Sequence, residues 1–179
     1  MHSSETQLSY SDVVQAYGRI KDHVKRTPIM ESSLLNKWMG HRILFKAECL
    51  QTIGAFKLRG ALNFLAHLDE GGELPKKVVA NSSGNHAQAV AYAASKYGIP
   101  ATIFASETIS PIKAAATESY GATLKLFPTR QEADIAVDNA AEEEGIVWIP
   151  PFNHPDIVAG QGTAAMGALE KTRKGDAIL

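Results

Sequence analysis

Cysteine is almost missing from this chain: Cys49 is the single one in 179 residues. No internal disulfide can form, and a reducing, cytoplasmic setting is the expectation. Charge of one sign is missing too. Lys and Arg number 18 against 19 Asp and Glu, a formal net charge of −1. Such a balance lacks the basic surface on which nucleic-acid and anionic-membrane binding draw, so neither partner is expected. No apolar run approaches the roughly 18 residues of a bilayer span. The opening MHSSETQLSYSD has no apolar stretch of the kind a secretory signal needs. Also absent are the G-x-G-x-x-G of a dinucleotide site, the G-K-[ST] of a P-loop and the G-x-S-x-G of an α/β-hydrolase. No Cys or His cluster has zinc-ligand spacing, so no metal site is expected in this chain. What remains is an ordinary globular composition, 45% hydrophobic and 21% charged, enough for a real core.

The apolar residues are spaced in a readable way. Tyr10, Val13, Val14, Tyr17, Ile20 and Val24 recur at helical intervals, with Ser9 or Ser11 as N-cap, until Thr27-Pro28 ends the helix. A second helix over 32–39 stops near Gly40, and 43–48 reads as a short strand. From Lys57, a stripe of Leu58, Ala61, Leu62, Leu65 and Leu68 runs to the Gly71-Gly72 loop. Short apolar strands over 78–80, 101–105, 123–127 and 146–149 then alternate with helices. The helix over 85–97 is expected to bury Val90, Ala93, Ala94 and Tyr97. Ser110-Pro111 offers an N-cap and an N1 proline. Thr129 with Glu132 reads as a capping box before Ala133, Ala136, Val137 and Ala140. Strands joined through helices need crossovers, so the pattern predicts an α/β fold with a parallel sheet covered on both faces.

The last helix, over 155–173, carries Gly160, Gly162 and Gly167, each costing roughly 1 kcal/mol against alanine in a helix. Glycine at such positions signals close approach of a backbone or ligand. Residues 1–8 read as a polar tail, Gly175 as a helix C-cap and 176–179 as the opening of a strand. A domain seldom ends there, so the chain is expected to be part of a longer protein.

Three segments can carry chemistry. In E-C-L-Q-T-I-G-A-F-K-L-R-G, Lys57 stands where a loop becomes a helix, beside Phe56. Apolar neighbours and an electropositive helix start both favour a neutral amine, the form that attacks an aldehyde. Phe56 offers a flat cofactor a face to lie against. The plainer reading is a solvated lysine in a first turn. In N-S-S-G-N-H-A-Q, between a strand and a helix, hydroxyls and backbone N–H groups gather as for a carboxylate or phosphate; the plainer reading is a well-capped turn. In P-P-F-N-H-P-D-I-V-A-G-Q-G, Asn153 can cap the final helix with Asp156 as its reciprocal partner. His86 and His154 are the histidines nearest these segments.

Together the motifs are far more specific than each alone. G-A-F-K-L-R-G, then S-S-G-N-H-A-Q some two dozen residues on, then A-G-Q-G-T, resembles the serine/threonine dehydratase and serine racemase family, pyridoxal-phosphate enzymes of fold type II. The resemblance implies that Lys57 binds the cofactor and Phe56 packs near its ring. It implies that Ser82, Ser83, Gly84, Asn85 and His86 hold the substrate carboxylate, with Asn85 also on the pyridine 3′ oxygen. Ser83 matches the acid/base serine of the racemases, and Asn153 a polar residue at the substrate cleft. The implied layout is 1–52 in a large domain, 53–150 as a small α/β domain and 151–179 returning to the large one. The implied reaction is dehydration of L-threonine- or L-serine-type hydroxy amino acids to a 2-oxo acid and ammonia, with racemisation as the alternative. A homodimer is implied for full-length members.

The sequence also departs from the family. Ile53 and Ala55 stand where hydroxyl residues are usual. Thr52 and Ile53 replace the lysine and threonine of ATP-responsive racemases, which argues against nucleotide activation. Ala87 follows the biosynthetic threonine dehydratases. In the family, the cofactor-phosphate loop and the divalent-cation site follow the point corresponding to Leu179. Two other classes remain open: a catalytically silent product acting by association, and a phosphate- or nucleotide-binding domain without covalent chemistry.

Overall fold

A computed structural model describes residues 8–172. Its first helix, α1 (Tyr10–Ile20), begins where the Ser9 backbone N–H is bonded by the Asp12 carboxylate at 2.7 Å. Ser9 therefore fills the cap position. The strand read over 43–48 is the shorter β2 (Leu44–Lys46), and it has an antiparallel partner that the spacing does not reveal, β1 (Ile29–Glu31). Three residues with one polar end carry no period. Between them, α2 (Ser33–Met39) is capped by Ser32, whose hydroxyl accepts the Leu35 N–H, and ends at the left-handed Gly40.

The main sheet joins β3 (Lys77–Asn81), β4 (Ala101–Ser106), β5 (Thr123–Phe127) and β6 (Ile146–Trp148) in the order β5-β4-β3-β6, all parallel. Strand side chains alternate faces. Val78, Ala80 and Ile103 accordingly join one buried cluster, while Val79 and Phe104 join another. On the first face lies α4 (Asn85–Lys96), with α5 (Pro111–Ser119) beside it. On the second lies α6 (Arg130–Ala141), which buries Ala133 and Val137. Thr129 accepts the Glu132 N–H as the sequence suggests. Ser110 occupies the cap position of α5 without a side-chain cap bond, leaving Pro111 as the start signal.

Two long helices link this sheet to α1. The first, α3 (Lys57–Glu70), packs against α4, α1 and α7 (Pro155–Thr172). Leu58, Arg59, Gly60, Ala61, Leu62, Asn63, Phe64, Leu65 and Ala66 are all buried, so its first half is enclosed on every side, beyond the one stripe read from the sequence. The crossing with α7 is a glycine contact. A Cβ on Gly160 would lie 2.6 Å from the Arg59 carbonyl oxygen and 2.8 Å from Gly60 Cα. That close backbone approach explains why glycine is tolerated inside α7. Gly175 and the strand expected over 176–179 lie outside the described residues, as do 1–7.

Candidate active site

The order β5-β4-β3-β6 contains a reversal. The chain leaves β3 toward β4 and β5, then returns to add β6 on the other side. In parallel α/β sheets, a crevice opens at such a switch point, beyond the carboxyl ends of the strands. Here it lies after β3 and β6, where the chain forms the 82–86 turn and the 149–153 segment. Two of the three candidate segments therefore meet there by topology, and α3 delivers the third.

Lys57 is the first residue of α3. The preceding turn is tied down: Gly54, at φ +72°, donates to the Gln51 carbonyl at 2.8 Å. The buried Gln51 side chain accepts from the Lys25 N–H and donates to the Lys25 carbonyl. Two residues past Lys57, buried Arg59 holds both oxygens of Glu48 at 2.8 Å and reaches the Lys25 carbonyl and Thr163. Glu48 also accepts from Thr27 at 2.6 Å. This lattice fixes the first turn of α3 and was not legible in the sequence, where Arg59 and Glu48 look like ordinary surface charges.

Thus anchored, Lys57 extends Nζ to the Pro151 carbonyl, donating at 2.6 Å. Among the described residues no carboxylate comes within 4.0 Å of Nζ. Partial burial pushes its pKa below the ordinary lysine value, with no carboxylate to push it back. Phe56, 41% exposed, presents its ring 5.4 Å from Nζ.

The 82–86 turn enters α4 at Gly84, which has no side chain with which to cap the helix. The first N–H groups of α4 are consequently open to an anion. Ser82 Oγ accepts the Gly84 N–H at 3.1 Å, and Ser83 Oγ accepts the Ser106 N–H at 3.3 Å. Each hydroxyl uses a lone pair in these bonds and keeps its hydrogen to donate. Asn85 is exposed at the head of α4. Lys113 brings a second ammonium to the turn, 3.9 Å from where a Gly84 Cβ would stand; nothing in its sequence context marks it.

His86 is buried, with Nε2 2.9 Å from the Ile149 carbonyl. A carbonyl only accepts, so Nε2 carries the hydrogen. Burial pushes the ring pKa down to about 4, the Ile149 bond acting the other way and the Lys57 charge adding to the fall. His86 thus joins α4 to the segment whose next-but-one carbonyl holds Lys57. Asn153 is exposed, at φ +53°. It does not cap α7 as its position suggests: His154 Nδ1 accepts the Asp156 N–H at 3.3 Å, and the Asp156 carboxylate goes instead to His67 at 2.7 Å.

Residues 20–179 match the family model for pyridoxal-phosphate dependent enzymes. The chain is 44% identical to an L-threo-3-hydroxyaspartate ammonia-lyase of Saccharomyces cerevisiae over 96% of its own length and 52% of the relative's. It is 40% identical to a serine racemase of Schizosaccharomyces pombe, covering 96% of this chain and 53% of that one. Among solved structures, maize serine racemase superposes with a TM-score of 0.87 at 36% identity, over 93% of this chain and 51% of that one. The chain spans about half the length of the curated relatives it matches.

Proposed function

Because the chain belongs to the pyridoxal-phosphate dependent enzyme family, we propose that it carries the lysine-bearing half of the active site of an ammonia-lyase for hydroxy amino acids, of the L-serine, L-threonine or L-threo-3-hydroxyaspartate type. The observation that carries this reading is the Lys57 amine at the sheet's switch point, half-buried, bonded to a carbonyl rather than a carboxylate. An amine so placed fits an aldehyde cofactor, since an ion pair would hold it charged and unreactive. Pyridoxal phosphate, when bound, supplies an electron sink for the negative charge developed at the amino acid's α-carbon.

The chain's own residues do the rest. Lys57 Nζ would hold the cofactor and serve as the base for the α-proton. Phe56 would offer the ring a face and Asn85 would supply an amide for its 3′ oxygen. The Ser82 and Ser83 hydroxyls, with the N–H groups of Asn85 and His86 that follow Gly84 at the head of α4, would receive the substrate carboxylate, while Asn153 would stand at the rim. Loss of the β-hydroxyl as water and return of water on hydrolysis yield a 2-oxo acid and ammonia. Racemisation is the second reading, favoured by Ser83, whose hydroxyl keeps a transferable hydrogen. We place the working enzyme in the cytoplasm as a homodimer, with the cleft between 53–150 and the flanking segments. Among the described residues, no helix is long and apolar enough to cross a membrane.

The test is borohydride reduction in the presence of pyridoxal phosphate, followed by peptide mapping. The cofactor should become fixed to Lys57, and Lys57→Ala should abolish this. Fixation spread evenly over the lysines would refute the assignment.

A further inference from the structure

The A-G-Q-G-T run at 159–163 takes no part in the chemistry assigned above, yet its glutamine reaches the same carbonyl as the lysine. Gln161 Nε2 lies 3.4 Å from the Pro151 oxygen that accepts Lys57 at 2.6 Å. Shape holds it there. A Cβ on Gly60 would stand 3.1 Å from both Cγ and Nε2 of Gln161, so the amide lies along the open face of that glycine. Gly60 follows Lys57 by three residues, nearly one helical turn. The segment that carries this carbonyl is itself tied down, because buried His86 bonds the Ile149 carbonyl two residues earlier. One oxygen thus faces two donors, one near and one waiting.

We propose that Gln161 is a positioning residue for Lys57: its amide takes over the Pro151 carbonyl when the lysine amine leaves that carbonyl to react with an aldehyde. The inference rests on Lys57 being the reacting amine. In that reaction Lys57 gives one proton to solvent, its lone pair forms the C–N bond, and its two remaining hydrogens leave with the aldehyde oxygen as water. It can then no longer donate to Pro151 as an ammonium does. The bonds at the Pro151 oxygen are part-buried, and an acceptor taken partly out of water loses free energy when its donor leaves. With Gln161 closing the remaining distance, the bond is exchanged rather than lost.

Reductive methylation of the whole chain with isotope-labelled formaldehyde tests this. Reactivity is read at Lys57 against the other lysines by peptide mass spectrometry, across the neutral to alkaline range. Gln161→Met keeps the length without the donor; Gln161→Glu puts an acceptor there. In both, Lys57 should react about ten-fold more slowly near neutral pH, the weight of one exchanged hydrogen bond. Its profile should move to higher pH, further in the Glu variant, while the other lysines keep their rates. The titratable group facing Lys57 from α4 is His86, neutral across that range. The 149–153 segment has no titratable side chain, and Asp156 at the head of α7 is engaged by His67. Gly60→Ala sets a Cβ 3.1 Å from the Gln161 amide nitrogen, displaces the amide and should shift the profile the same way, whether or not a glutamine variant folds.

An unmoved Lys57 profile overturns the inference, even where the unfolding temperature falls. Formaldehyde needs no cofactor site, so that failure is distinct from a failure of pyridoxal phosphate to become fixed to Lys57.

Discussion

Acid should weaken the joint between α4 and the 149–153 segment, and His86 sets the pH at which it does. Its ring is 5% exposed, and its pKa falls from 6.5 to about 4 on folding. Between those values the unfolded chain binds a proton that the folded chain refuses. The contribution is therefore complete above pH 6.5, declines as pH falls, and is lost by about pH 4. A fall of that size is worth about 3 kcal/mol, a sizeable part of a domain's stability. The assay is urea unfolding of the parent chain and of His86→Gln at a series of pH values. Other groups with depressed pKa values, Asp12, Glu31 and Glu48, lose stability in acid in both chains and cancel in the difference. The parent should be the more acid-sensitive by about 3 kcal/mol over that window. A difference that stays constant from neutral pH to pH 4 would refute the reasoning, because it would mean that His86 titrates alike in both states.

Two further perturbations test the frame around Lys57. Arg59→Met leaves the Glu48 carboxylate half-enclosed without its main partner and should cost about 3 kcal/mol in urea unfolding. It should also slow fixation of pyridoxal phosphate to Lys57, since the first turn of α3 loses its anchor. Gly160→Ala sets a Cβ 2.6 Å from the Arg59 carbonyl oxygen, against backbone that can yield only by moving a helix. A loss of about 2–3 kcal/mol is expected, read as a lower unfolding midpoint, whereas Gly18→Ala, with nothing within 4 Å, should be neutral or stabilising.

Local signals were read correctly where the physics is local. Ser32, Gly40, Pro111 and Thr129 mark helix ends because capping and turn geometry involve only near neighbours in the chain. Val78, Ala80 and Ile103 against Val79 and Phe104 divide between two faces because strand period is a backbone property. The candidate turn and lysine could be found by residue type and position. Asn153 misled because capping depends on one backbone dihedral, and at φ +53° the helix start passes to His154. The short strand β1 went unseen because three residues hold no period.

By itself, then, the sequence determined the alternation of strand and helix, the parallel sheet that alternation requires, and which lysine stands at a helix entrance. These follow from spacing and from the steric preferences of single residues. Only the tertiary structure decided that β6 adds on the far side of β3, the reversal that brings the 149–153 segment beside the 82–86 turn. It alone brought the Pro151 carbonyl to Lys57 across 94 positions and buried Arg59 on Glu48. Such contacts join residues with no neighbourhood in the chain, and burial, which lowers the pKa of Lys57 and keeps His86 neutral, belongs to the packed whole.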